Sequence, residues 1–585
     1  MRVRALGTIA AAVLAVSCAG QGPGGPSSGA PAGNPTPVPV GAPTAVPSVP
    51  TEHPMPPPTP QAAAARAPLF RDLGSYSHRI TTSSTEAQRY FDQGLILGWG
   101  FNHAEAERSF REAARLDPAC AMCWWGVAWV LGPNINAAMD SAAAAPAFEA
   151  AQKAAALAPK VSPRDADYVR AMAARYAATA PEDRKPLDRA FADAMRDVSR
   201  RHPDDLDAAT LFAESLMDLA PWAQWNKDGT PTEATPEILR TLEGVLVRNP
   251  RHPGAIHLYI HAVEASKDPG RALKYAEALP DLAPGAGHLV HMPSHIQIRT
   301  GRYEEVIALN ERASKADDSY VAQCRAQGVY PLAYVNHNVH MGWAGAVMTG
   351  RRDKAMELAH TLHGRMEHAP VRDPGMGTLQ HYSAIPLWTL VRFGEWDAIL
   401  KEPAPAPDLA YPNAIWRWAR GMAFAGRGEN DAARAELAKI REILGSGAIE
   451  PVTIWEINKG EDILGIAADM LEGQVAARAG DTDRAAASLR KAIAREDALH
   501  YNEPPDWYPP VRPLLGALLR QAGRPKEAEA VYRKDLEIHP ENGWSLDGLS
   551  RSLAAQGRRQ EAAEVSARFA RVWKGPSVPI EGGAN

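Results

Sequence analysis

Cysteine is scarce in this chain, with 4 in 585 residues at Cys18, Cys120, Cys123 and Cys324, which excludes a disulfide-built scaffold. Long apolar runs are missing too. The apolar stretch Ala5 to Val16 falls short of the roughly 20 residues that a membrane-spanning helix needs, and no other apolar run is long enough either. Runs of β-branched residues are nearly absent, which argues against a β architecture. No basic block occurs and both signs of charge are interspersed, with a formal net charge of -5, so nucleic acid is not an expected partner. HExxH and the phosphate-binding GxxxxGKS/T are missing, and no dinucleotide-binding GxGxxG follows a strand, which sets aside the zinc-protease and nucleotide chemistries that depend on them and leaves no expected nucleotide cofactor.

Alanine, leucine, glutamate and arginine dominate instead, and apolar residues recur at helical spacing. A longer period of about 34 residues lies over that spacing. Within Ala87 to Cys120, the residues Gly94, Ala106, Phe110, Ala113 and Pro118 occupy positions 8, 20, 24, 27 and 32 of a 34-residue unit. Pro203, Pro250, Pro284 and Pro540 return at the terminal position, and Gly301, Gly350, Gly394, Gly480, Gly523 and Gly557 mark the turn between two helices. This pattern resembles the tetratricopeptide repeat. The resemblance implies an all-α, right-handed solenoid of about twelve helix pairs between residues 87 and 575, with a concave groove made by the first helix of each pair. Segments 118–136 and 503–512 are similar to stretches of large bacterial tetratricopeptide lipoproteins, a likeness that brings no activity with it. The connections 131–146, 221–235, 317–335 and 370–380 are longer than the repeat needs. They carry Asn134, Asn136, Trp222, Trp225, Tyr320, Cys324 and Tyr330, a polar and aromatic set suited to covering a groove.

The two ends read differently from this body. Arg2 and Arg4, the apolar stretch and Ala15-Val16-Ser17-Cys18 make residues 1–18 a leader that resembles a lipoprotein signal with Cys18 as the lipidated residue, or else an ordinary secretory signal. Ala19 after that cysteine implies, by the same resemblance, sorting to a Gram-negative outer membrane, facing the periplasm. Removing the leader takes the formal charge from -5 to -7. Residues 19–67 form a tether that cannot bury a core, since 14 prolines and one non-histidine charge fall in 19–60. Residues 68–575 are the array and 576–585 a disordered tail. In an oxidising compartment the Cys120-Ala-Met-Cys123 pair is a disulfide, a buried thiol pair or a metal ligand pair.

Histidine is the anomaly. Twelve of 18 lie between His252 and His381. Placed on the repeat, His257 and His261 take positions 5 and 9 of one unit; His288, His291 and His295 take 2, 5 and 9 of the next; His337 and His340 take 2 and 5; and His381 takes 2. Those positions form one stripe, about 40–60° wide on a 100°-per-residue helix, opposite the packing face and so directed at the groove. Packed helices lie about 8–10 Å apart, which lets imidazoles of neighbouring repeats converge on a shared ion. Pro293 either kinks the helix between His291 and His295 or starts it there.

Imidazole clusters suit copper, iron or zinc rather than magnesium or calcium. Glu264, Asn336, Asn338, Tyr334 and Tyr382 are candidates to orient the rings by hydrogen bonds. Met292 and Met341, at position 6, are expected in the core. His202 and His539 read as turn residues, and His360, His363 and His368 as solvated. Two functions follow: a membrane-anchored metalloprotein of the oxidoreductase type, or a scaffold whose groove binds a peptide or protein partner. Whether the chain turns over a substrate is left open by its residues.

Overall fold

The structure, a computed structural model, describes residues 66–324, 329–373 and 375–576. The leader with Cys18, nearly all of the tether and the tail from 577 lie outside the described residues. Ala67, placed in the tether by composition, belongs to the body: it is buried, and its carbonyl accepts a hydrogen bond from Tyr90 Oη at 3.0 Å.

The body runs helix after helix from Thr85–Trp99 to Arg559–Val572. The sheet among the described residues is a minimal antiparallel pairing, Thr453–Ile454 with Asn458–Lys459. No described helix is long and apolar enough to cross a membrane.

Small residues set the hairpin geometry. A Cβ on Gly94 would lie 2.7 Å from the Phe110 ring and one on Gly126 2.4 Å from it, so Phe110 wedges between two helices that only glycine lets approach. Tyr532 repeats the device between Gly516 and Gly548, at 2.5 and 2.1 Å. The helix Gly377–Phe393 ends at Gly394 with φ 71°, a left-handed cap of the kind its turn position requires. These hairpins make the chain an array of the tetratricopeptide type.

The array also folds back on itself. Helix Pro253–Val263 packs against the first hairpin, where a Cβ on Gly254 would meet the Trp99 ring at 2.5 Å. From the other side the C-terminal hairpins close on the turn near 350, with Trp544 Nε1 donating to the Val347 carbonyl at 2.9 Å. The expected loop 317–335 is largely helix: Tyr303–Cys324 and Val329–Met348 extend into it from either side. Apolar side chains such as Tyr320 and Val335, packed on the first core, favour that extension. Residues 375–380 are likewise mostly taken up by the helix that starts at Gly377.

Candidate metal centre

Four helices, three of them short, carry six of the eight predicted histidines. His257 and His261 lie one turn apart on Pro253–Val263, and His288 and His291 on Gly287–His291. His295 lies on Pro293–Arg299, where Pro293 starts a new helix. His337 comes from Val329–Met348.

These rings form two trios. His257 Nε2 lies 3.1 Å from the Nε2 atoms of both His261 and His288. His295 Nε2 lies 2.8 Å from His291 Nε2 and 3.4 Å from His337 Nε2. In each trio, one nitrogen from each ring lies within 4.8 Å of the other two. The trios adjoin, with ring centroids 5.9 Å apart for both His261–His295 and His288–His291.

What holds the outer nitrogens fixes the chemistry of the inner ones. His257 Nδ1 lies 2.6 Å from the Trp99 carbonyl, which only accepts. His261 Nδ1 lies 2.8 Å from Glu264 Oε1, and His295 Nδ1 lies 2.7 Å from Glu264 Oε2 and 2.9 Å from Glu503 Oε2. His291 Nδ1 lies 2.6 Å from Asn310 Oδ1, and the Asn310 amide nitrogen is committed to the Val306 carbonyl. His257, His261 and His291 therefore donate from Nδ1, and a neutral ring then has only a lone pair at Nε2; His295 Nδ1 sits in ion-pair range of both carboxylates, and the Nδ1 atoms of His288 and His337 have no partner among the described residues. Lone pairs that converge at about 3 Å need a cation between them.

Burial, followed by the neighbouring rings, keeps His257 and His288 well below the ordinary imidazole range, so a proton does not fill that role in the first trio. In the second trio, burial lowers His295, but Glu264 and Glu503 outweigh it and bring the ring to about 10, so the metal-free site holds one proton there. Burial would raise Glu264, yet His295 and His261 hold its carboxyl below the usual range. One carboxylate thus ties the two trios together.

Aromatic rings enclose the centre. Phe101 lies 4.6 Å from His257 and 5.2 Å from His288, Tyr334 lies 4.9 Å from His288, Trp222 lies 5.3 Å from His261, and Trp455 lies 5.9 Å from His337, centroid to centroid. Among the described residues five non-glycine residues have positive φ, and Phe101, Trp222 and Trp455 are three of them. Left-handed backbone is costly for such side chains and collects at functional sites.

Several expectations need correction. The stripe does not face an open groove: all eight histidines are buried, because the first hairpin, the 453–459 hairpin and the segment around Glu503 pack over it. His340 and His381 stand apart from the trios, paired with each other at 5.6 Å between centroids. His381 Nδ1 meets Tyr411 Oη at 2.8 Å, and His340 stacks on Trp343. Of the predicted orienting groups, only Glu264 bonds to a site ring. Asn336 Nδ2 donates to the Leu332 carbonyl and Asn338 to Asp317, because each reaches its own helix or the helix before it more easily. Tyr334 and Tyr382 contact His288 and His340 through ring packing. Glu503, Asn310, Phe101 and Trp455 were not foreseen, and the singular 503–512 segment was the one hint of Glu503.

Elsewhere, Cys120 and Cys123 form a disulfide and Cys324 is a free thiol. Met292 and Met341 are buried as expected, and His360, His363 and His368 are exposed. A further buried network joins His78 Nδ1 to Asp207 at 2.7 Å and Tyr76 Oη to both Asp207 and His252 at 2.9 Å, pinning the segment before the first hairpin.

No protein-family model matches the chain, and no curated protein matches it. Among solved structures it is similar to a human IFIT1 dimer with m7Gppp-AAAA, at 13% identity and a TM-score of 0.28, covering 84% of this chain and 91% of that one. It is also similar to the APC/C hetero-tetramer Cut9-Hcn1, at 13% identity and a TM-score of 0.27, covering 80% and 76%. Likeness at that level carries nothing about the site, which rests on its own geometry.

Proposed function

We propose that the two histidine trios hold a pair of copper ions, three imidazole nitrogens to each, and that the chain is an oxidoreductase lipidated at Cys18 and held outside the cytoplasm. The observation that carries this is the convergence of six buried Nε2 atoms in two trios, with the outer nitrogens of His257, His261 and His291 on acceptors and that of His295 in ion-pair range of Glu264 and Glu503. Three nitrogens about 2.0–2.1 Å from one ion lie roughly 3.5 Å apart, so the pairs at 2.8–3.4 Å would widen by up to about 0.7 Å, with the third pair of each trio already within 4.8 Å.

The donor set favours copper over iron. Non-haem iron sites bring a carboxylate to the metal, whereas Glu264 and Glu503 lie on the far side of the rings, where they orient imidazoles. A bound copper pair would supply two adjacent one-electron couples, the capacity for a two-electron oxidation. The residues' own part is to fix the ring orientations from Nδ1 and, through the aromatic enclosure, to keep water from the centre.

A scaffold that binds a protein partner is the second reading, and one observation favours it: Trp222 is 39% exposed on the 221–235 connection. The deciding measurement is elemental analysis of the full chain purified from the extracytoplasmic fraction of copper-supplied cells. Two copper per chain is expected; trace metal only would leave the scaffold standing and overturn the metalloprotein.

A further inference from the structure

A pocket in the second half of the array has features of an anion site that the histidine centre does not use. Trp388, Trp418 and Trp507 line it together with Arg392, Met422 and Met470. The indoles pack tightly, with Trp388–Trp507 centroids at 4.4 Å and Trp418–Trp507 at 5.3 Å. All three are essentially fully buried, yet none of their Nε1 donors has a hydrogen-bond partner among the described residues. Buried donors are nearly always satisfied.

Arg392 sharpens the demand. Its guanidinium stacks on Trp544 at 3.8 Å, while its Nε and Nη2 are both buried without a partner. Those two atoms form the edge of the fork that takes a carboxylate with two parallel bonds. Elsewhere in this molecule the same edge is filled in that way: Arg196 Nε and Nη2 reach the two oxygens of Glu237 at 3.3 and 3.0 Å, and Arg372 reaches Asp408 at 2.7 and 3.4 Å. At Arg392 no acid among the described residues does so. Asp535 acts on it only through its charge and is bonded to Asn542 and Ser545.

We propose that this pocket binds a compact planar carboxylate, its ring against the tryptophans and its two oxygens on the Nε–Nη2 edge of Arg392. Two buried guanidinium N–H groups left without an acceptor are costly on a half-buried arginine, and a ligand carboxylate removes that cost. The indole wall selects a flat apolar body, and the unpartnered indole N–H groups select acceptors. Trp388 lies 5.6 Å from His381, outside both trios, so this site stands or falls separately from the metal centre.

Benzoate and its uncharged isostere benzamide are the probes, titrated into the full chain by calorimetry and by tryptophan fluorescence. Benzoate should bind and quench, and benzamide should bind at least about tenfold more weakly, a difference near 1.4 kcal/mol. Arg392→Met should abolish the discrimination. Arg392→Lys, which keeps the charge without the fork, should retain only part of it, and Trp507→Phe should weaken both ligands. Equal affinity for the two probes, no binding of either, or full benzoate affinity in folded Arg392→Met would overturn the proposal. Copper content should be unchanged in every variant.

Discussion

The C-terminal hairpins and the histidine-bearing hairpins share one design and differ in what they bury. In the former, Pro525–Ile538 and Gly543–Ala555 are regular helices locked by Tyr532 between Gly516 and Gly548. In the latter, Gly287–His291 and Pro293–Arg299 are short, and repeat positions 2, 5 and 9 are given to the buried imidazoles of His288, His291 and His295. Apolar burial stabilises a hairpin by itself. Buried imidazole stabilises nothing unless each nitrogen has a partner, and here the Nε2 atoms face only one another. The contrast teaches that departure from the repeat's own economy, more than the repeat, locates function.

Separating the two regions by mutation should give effects in descending order. Changing one histidine from each trio, as in His257→Ala with His295→Ala, should remove all tightly bound copper, whereas His340→Ala with His381→Ala should leave two per chain by elemental analysis. Equal loss in both variants would erase the distinction drawn between the trios and the outer pair. Glu264→Gln should weaken copper at both trios by about 10–100-fold, while Glu503→Gln should affect only the second, as competition with a chelator would resolve.

In the regular half, Gly548→Leu should destabilise by about 1–3 kcal/mol through overpacking against Tyr532, lowering Tm while folded chain still binds two copper. The smallest effect concerns pH. Burial, only partly offset by Arg512, raises the Glu496 carboxyl to about 8 against an ordinary 4.5. The folded state then holds a proton that the unfolded state has lost, so stability falls as pH rises from about 4.5 and levels off above about 8. Glu496→Gln should flatten that slope, seen as a Tm gain at pH 8 that is absent at pH 4; a gain equal at both would contradict it.

Much of this was legible in the chain itself. Gly94, Phe110 and Pro118 disclose the hairpin, and the shared positions 2, 5 and 9 disclose which histidines lie on one face. That period is local, so it survives in sequence. The pairing of His291 with His295 is made across the helix break at Pro293, which spacing left open. Glu503 reaches His295, and the Trp99 carbonyl reaches His257, only because both ends of the array fold back, and no periodicity encodes that closure. The same closure turned a predicted groove into a buried chamber.

The most direct test is a crystal structure of the copper-supplied chain with anomalous data collected on both sides of the copper edge. The account predicts two copper peaks, one within bonding distance of Nε2 of His257, His261 and His288, the other of His291, His295 and His337. A single peak elsewhere, or no peak with the rings hydrogen-bonded as they stand here, would contradict it.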